Sequence, residues 1–110
     1  MSELYDAQDF WKFKMKVGLV KSAERVPNSK KLLKLEVDFG NEIRTVVSGI
    51  ADVFSPEEFV GKKMIFVTNL KAKKVFNIES QAMLLLAEDE RGQIYLVIAE
   101  EKVTIGSKFY

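Results

Sequence analysis

Apolar and polar residues alternate one by one along three stretches of this chain, and that period of two limits the fold more than any other feature. Met15, Val17 and Leu19 alternate with Lys14, Lys16 and Gly18. Leu33, Leu35, Val37 and Phe39 alternate with Lys34, Glu36 and Asp38; Ile43, Thr45 and Val47 alternate with Arg44, Val46 and Ser48. A period of two sends successive side chains to opposite faces of an extended backbone, so each stretch reads as a strand. Val26-Pro27-Asn28-Ser29, Gly40-Asn41 and Ser48-Gly49 punctuate them as turns.

Two further stretches are nearly continuous in apolar residues. Residues 64–70 include β-branched Ile65, Val67 and Thr68 and read as a strand buried on both faces; residues 82–87 read the same way. Residues 71–81 between them read as a basic, then polar, loop. Ser55-Pro56-Glu57-Glu58 is a helix start, with Ser55 as cap, Pro56 at the first position and Glu58 completing a capping box; Gly61 stops it. Residues 6–12 predict a short amphipathic helix, with Phe10, Trp11 and Phe13 as its apolar residues. After an exposed turn at 88–92, residues 93–99 alternate again and 103–110 form a final extended piece. Phe39, Phe66 and Tyr95 fit strand positions in a core.

The expectation is an all-β fold. Five strands between residues 14 and 87, with a short helix between the third and fourth, match the layout of an OB barrel. The 110 residues, 47% of them apolar, suffice for one domain spanning 1–110. Within it, 1–13 is an N-terminal extension, 14–87 the barrel and 88–110 a C-terminal pair of strands.

Composition excludes much chemistry. There is no Cys and no His, so thiolate metal sites, disulfides and Ser-His or Cys-His nucleophiles are out. Glu57-Glu58 belongs to a helix start, Glu88-Asp89-Glu90 lacks ligand spacing, and the glycines form no phosphate loop. The expectation is a non-catalytic protein without metal or cofactor. The longest wholly apolar run, residues 82–87, is far short of the ~20 residues that span a bilayer. The N-terminus has no signal-like apolar segment, so a cytoplasmic location is expected.

The formal charge of +1 hides a division. Residues 10–74 carry 14 Lys or Arg and 7 Asp or Glu, a net of +7; the remainder carries 3 and 9, a net of −6. Segregated charge produces a field that the total conceals, and a basic stretch suits a polyanion.

Four blocks in order bring a family into view. Val17-Gly18 followed by Pro27-Asn28-Ser29-Lys30-Lys31-Leu32 resembles the Pro-Asn…Lys-Leu signature of the tRNA-binding domain family. Val37-Asp38-Phe39-Gly40 with residues 44–51 resembles its second block, and Pro56-Glu57-Glu58 with Gly61-Lys62-Lys63 its third. Asn69-Leu70-Lys71, Glu79-Ser80 and Met83-Leu84-Leu85 resemble the fourth. The chain departs from the pattern at Val26, Ala72, Asn77 and Ala82, where His, Pro, Gly and Gly are usual; Asn77 can still hold a left-handed turn.

The resemblance implies an OB fold, a homodimer and recognition of tRNA by shape. Members are appended to methionyl-tRNA synthetases or stand alone beside them. A chain that begins and ends with the domain resembles the free-standing beta-subunit type, acting in trans. A related branch comprises the CsaA-type export chaperones, dimers that bind peptide. That branch usually departs from the Pro-Asn…Lys-Leu and Val-Ser-Gly-Ile-Ala blocks kept here, and a chaperone is the alternative expectation.

Candidate RNA contacts follow. Lys71, Lys73 and Lys74 place three ammonium groups in four residues, suited to phosphates, with Phe76 beside them for stacking on a base. Lys31 and Lys34 follow the turn at Asn28. Arg44 and Ser48 share one face of the third strand, opposite Ile43 and Val47, where Arg can grip phosphate and Ser can reach a 2′-hydroxyl. Asn28 and Asn69 border these loops and can read an RNA edge or satisfy turn backbone. Ser80 and Met83 match family positions near the platform, although a Met in an apolar strand is commonly core. Phe10, Trp11, Phe13, Tyr95 and Phe109 are the expected dimer contacts; a lid on their own barrel is the other reading for the first three.

Overall fold

The computed structural model describes residues 3–110; Met1 and Ser2, which open the segment read for targeting signals, lie outside them. Strands dominate: β1 (Met15–Arg25), β2 (Leu33–Asp38), β3 (Ile43–Ser48), β4 (Lys63–Val67), β5 (Lys73–Val75), β6 (Ile78–Ser80), β7 (Met83–Leu84), β8 (Leu86–Glu88) and β9 (Ile94–Leu96). Among the described residues helix is limited to α1 (Ala7–Phe10) and a single 3-10 turn, Pro56–Glu58. The capping box at Ser55 and Glu58 forms, with the Glu58 carboxylate accepting from the Ser55 amide at 2.8 Å. Among the described residues no helix is long and apolar enough to cross a membrane.

One antiparallel sheet organises the chain, in the order β3-β2-β1-β4-β7. β1 is its spine. Its first half pairs with β4 and its second half with β2, and the register shifts between Val20 and Ser22 where the strand bends. Bending curls the sheet around Leu33, Leu35, Val37, Val46, Met64 and Phe66, all fully buried, with Phe59 beside them. Gly18 permits the tight curl, because a Cβ there would stand 2.5 Å from Val37 and 2.8 Å from Phe39.

The sheet's two edges come together at residues 80–81. The Gln81 amide donates to Thr45 O at 2.8 Å, while its side-chain oxygen accepts from the Thr45 amide at 2.9 Å. Ser80 Oγ accepts from the Val47 amide at 3.0 Å. Side chains thus satisfy backbone groups on the free edge of β3.

Several expectations need correction. Residues 71–81 are not an open loop but contain the β5–β6 hairpin. Its two-residue turn, Phe76-Asn77, has φ of 53° and 66°, the positive pair that a type I′ turn requires. Residues 82–87 are not one strand, because pairing breaks at Leu85 between β7 and β8. Nor do residues 103–110 form a strand. They turn at Gly106 (φ +89°) and run beside β1, with a single bridge at Lys16 and Lys108. Tyr95 leaves the core: it is exposed on β9 and donates its hydroxyl hydrogen bond to Asp89 at 3.0 Å.

Candidate nucleic-acid interface

The register of β2 against β3 decides which side chains face out. Directly opposed residues share a face, and the pairs are Leu33 with Ser48, Leu35 with Val46 and Val37 with Arg44. Since Leu33, Leu35, Val37 and Val46 are fully buried, Arg44 and Ser48 belong to the inner face. The expected outward platform for those two is therefore reversed. Ile43, at 60% exposure, stands outside. The alternation misled because the apolar member of β3's inner set is Val46, flanked by two polar residues at the sheet's ends.

Arg44 is anchored on arrival. Its guanidinium donates to Thr68 O at 2.6 Å, to Gln81 O at 3.0 Å and to Glu42 at 3.0 Å, and lies over the Phe39 ring. That arrangement caps one end of the core and joins β3 to the residues after β4. The hydrogen bond from Arg44 is the main cause holding the Glu42 carboxyl below its ordinary pKa.

The outer face carries Lys34, Glu36, Asp38, Ile43, Thr45 and Val47. Lys34 faces out as expected, but lies 3.8 Å from Glu24 and 3.9 Å from Glu36. Glu36 also accepts from the Thr45 hydroxyl at 3.1 Å. Lys34 is thus paired within the face, which carries more acid than base.

A different surface gathers Ser48, Lys71, Lys73, Ser80 and Met83 from among the candidates. Val47, Ser48, Leu70, Lys71, Lys73, Val75, Ser80 and Met83 line a groove of about 300 Å³ between β3, the β5–β6 hairpin and β7. Lys71, Lys73 and Lys74 are exposed, and none makes an ion pair among the described residues. Phe76 sits at the hairpin tip, 56% exposed. A bulky aromatic at positive φ is uncommon and costs on the order of 1–2 kcal/mol. Strain of that kind gathers at functional positions. Met83 is 47% exposed rather than core.

The asparagines are structural in their observed contacts. Asn69 accepts from the Lys14 amide and donates to Lys12 O, both at 2.7 Å, pinning the N-terminal segment. Asn28 holds a turn at φ 66°, and Lys31 follows it, exposed. The Ser80 hydroxyl is engaged by Val47 and Ala82. Asn77 supplies the left-handed turn expected of it; Ala82 takes an ordinary backbone and is buried.

Beside the groove lies a hollow of about 240 Å³ lined entirely by apolar side chains: Phe10, Phe13, Met15, Val67, Leu70, Met83 and Leu85. Phe10, Trp11 and Phe13 are between 40% and 50% exposed, so they do not form a buried lid. Trp11, Phe13 and Phe109 line a neighbouring hollow; Tyr95 lines neither. Sequence reasoning missed Leu70, Val47 and Val75 as groove residues. The signal for the hairpin was present, since Lys73-Lys74-Val75 and Ile78-Glu79-Ser80 flank a two-residue turn. No group of acidic, His or Cys side chains able to hold a metal occurs among the described residues.

Comparison with known proteins identifies the family. The model of the tRNA-binding domain family ("Putative tRNA binding domain") matches residues 15–108. Methionine–tRNA ligases of Methanococcus aeolicus and Methanocaldococcus jannaschii are 48% and 44% identical over 96% of this chain. The chain spans only 15–16% of the length of these curated relatives. A MetRS-related protein from Pyrococcus horikoshii is 59% identical, covers 99% of this chain and all of its own, and superposes with a TM-score of 0.97. The chaperone CsaA from Bacillus anthracis is 25% identical over 98% of this chain and all of its own, with a TM-score of 0.86. By the extent of the family match and the identity to these relatives, the chain belongs to the tRNA-binding domain family.

Proposed function

We propose that this chain is a non-catalytic OB-type module that binds tRNA, with the β5–β6 hairpin and its groove as the principal contact. The observation that carries the reading is a pair of exposed lysines, Lys71 and Lys73, unpaired among the described residues and lining an open groove, with Lys74 on the other face of the hairpin opposite Glu79 and an exposed, backbone-strained Phe76 at its tip. Ammonium groups on a flexible stem neutralise phosphates without reading bases, and an aromatic ring stacks on any base. Recognition is then by backbone shape. Lys31 and Ser48 extend the strip at the same end of the sheet, where Lys31 O bonds the Ala51 amide just past β3. The module works in the cytoplasm beside a methionyl-tRNA synthetase, raising the local concentration of tRNA.

A homodimer completes the proposal. Phe10 and Phe13 with the apolar hollow supply a surface that a second copy can cover. Sedimentation at micromolar concentration tests it: a monomer removes this role.

Gel shifts against salt test the binding. Affinity for tRNA should fall steeply between about 50 and 200 mM salt, in proportion to the phosphates neutralised. No shift at low salt ends the proposal.

The apolar hollow and the likeness to CsaA favour one second reading, a chaperone that holds unfolded peptide. Salt-insensitive binding of an unfolded polypeptide, not displaced by tRNA, supports that reading instead.

A further inference from the structure

The β5–β6 hairpin is joined to the main sheet by few bonds, and most of them pass through one residue. Among the described residues β5 and β6 pair only with each other, so no strand ladder ties the hairpin to β3. Gln81, the residue after β6, makes the junction. Its amide donates to Thr45 O at 2.8 Å, and its side-chain oxygen accepts from the Thr45 amide at 2.9 Å. In a regular antiparallel ladder a backbone carbonyl would accept that amide. The carbonyl of Gln81 is turned instead to the Arg44 guanidinium, 3.0 Å away. Ser80 repeats the exchange, its Oγ accepting from the Val47 amide at 3.0 Å.

Two side-chain oxygens therefore stand where the carbonyls of an adjoining strand would be. A side chain reaches farther than a carbonyl bond, so the hairpin leaves β3 at an angle and does not lie against it. The space this opens is the lysine groove. Val47 and Ser48 of β3 form one wall, and Lys73, Val75 and Ser80 of the hairpin form the other. Gln81 is half-buried and does not line the groove. Its side-chain nitrogen reaches only the exposed Glu79, at 3.4 Å. The hairpin depends on such a fixture. Each of its strands is three residues long, and a lone hairpin of that kind is marginal in water. Its orientation is only as firm as the bonds at its base.

We infer that Gln81 is a positioning residue for RNA binding: by taking the Thr45 amide with its side chain and giving its carbonyl to Arg44, it sets the angle at which the hairpin holds Lys73 across the groove from β3. The inference rests on the proposed tRNA binding. A contact group held in place beforehand costs little to order on binding, so loosening it lowers affinity without removing a charge.

The experiment compares the full chain carrying Gln81→Met or Gln81→Glu with the wild type at room temperature. Affinity for tRNA is read by gel shift, and protection of the Thr45 amide by hydrogen exchange. Met has the length of Gln without its oxygen. Thr45 should lose protection, the paired Val75 and Ile78 should exchange faster, and tRNA affinity should fall about ten-fold. Glu keeps an oxygen in the same place. Thr45 should regain protection, and affinity should return to within about three-fold of the wild type despite the added negative charge. Affinity should follow Thr45 protection across the three chains. A side chain that touched phosphate would give another order, with Gln81→Glu protected yet weaker than Gln81→Met, and that order overturns the inference. Unchanged affinity in Gln81→Met, with Thr45 unprotected and melting lowered, also overturns it and leaves Gln81 a residue of the fold alone. Lys73→Ala should cost less in the Gln81→Met chain than in the wild type, because a loosened lysine has less to lose; strictly additive losses count against the inference. If the wild type shifts no tRNA, the tRNA reading falls, and the exchange rates of Thr45, Val75 and Ile78 alone decide whether Gln81 fixes the hairpin.

Discussion

The outer face of β2 and β3 and the β5–β6 hairpin both carry basic residues, yet they use them differently. On the outer face Lys34 is within 4 Å of two carboxylates, and one of these also accepts from Thr45. Arg44, which the same strands supply, faces inward and holds two backbone carbonyls. At the hairpin, Lys71 and Lys73 have no such partners among the described residues, Lys74 has only Glu79 opposite it in register and no ion pair within 4 Å, and the turn holds Phe76 outward at positive φ. A basic residue in a strand is thus no guide to ligand binding until its partners are known. Exposed ion pairs contribute little to stability, but they do neutralise the field that a polyanion would follow.

The largest effect should come from the hairpin. Replacing Lys71, Lys73 and Lys74 together by Ala should weaken tRNA binding ~100-fold at 0.1 M salt and cut the salt slope by two to three. Melting should change little, since all three side chains are exposed and none makes an ion pair among the described residues. Lys34→Gln, by contrast, should alter affinity by less than about two-fold. Equal losses from the two would erase the distinction between the surfaces.

Arg44→Gln sharpens the comparison from the other side. It leaves the carbonyls of Thr68 and Gln81 without their charged donor. Loss of about 2 kcal/mol, or roughly 10 °C in melting temperature, is expected. The salt slope of tRNA binding should stay where it was. A lowered slope with unchanged melting would mean that Arg44 reaches RNA after all.

Phe76 separates fold from function by the sign of its effects. Phe76→Gly relieves the left-handed strain, so melting should hold or rise. If the ring stacks on a base, tRNA affinity should still fall about ten-fold, at the low end of stacking energies. Unchanged affinity would leave the strained turn without a ligand role.

These regions also show what was legible from residue order. The strands from 15 to 48 were readable because their residues alternate, although burial follows that alternation cleanly only in β2, and the capping box at Ser55 formed as written. The facing of β3 was not, because Val46 is the one fully buried residue of that strand and both neighbours on its face are polar. The hairpin was hidden by its lysines, which look like loop composition, and by Phe at a position where Gly or Asn is usual. The three lysines stand out in the sequence, because a dense cluster needs no register to be recognised. Asn69 reads in sequence as either an RNA contact or a turn residue; its amide ties Lys12 and Lys14 to the end of β4, a bond between residues more than 50 apart that no local pattern announces.

The smallest expected effect concerns Glu42, which sits on the structural side of the comparison. Its carboxyl is held below its ordinary value chiefly by the Arg44 hydrogen bond. A depressed folded pKa contributes stability that is present above the unfolded pKa and is lost as pH falls through the folded one. Melting temperature should therefore be level near neutral pH and decline below the ordinary carboxylate range. Glu42→Gln should flatten part of that decline. The same substitution should leave the salt slope of tRNA binding at neutral pH unchanged, because the Arg44 it releases is still held by two carbonyls inside the sheet. A changed slope would show that the inner end of β3 is open to RNA, and would join the two surfaces that the hydrogen bonds keep apart.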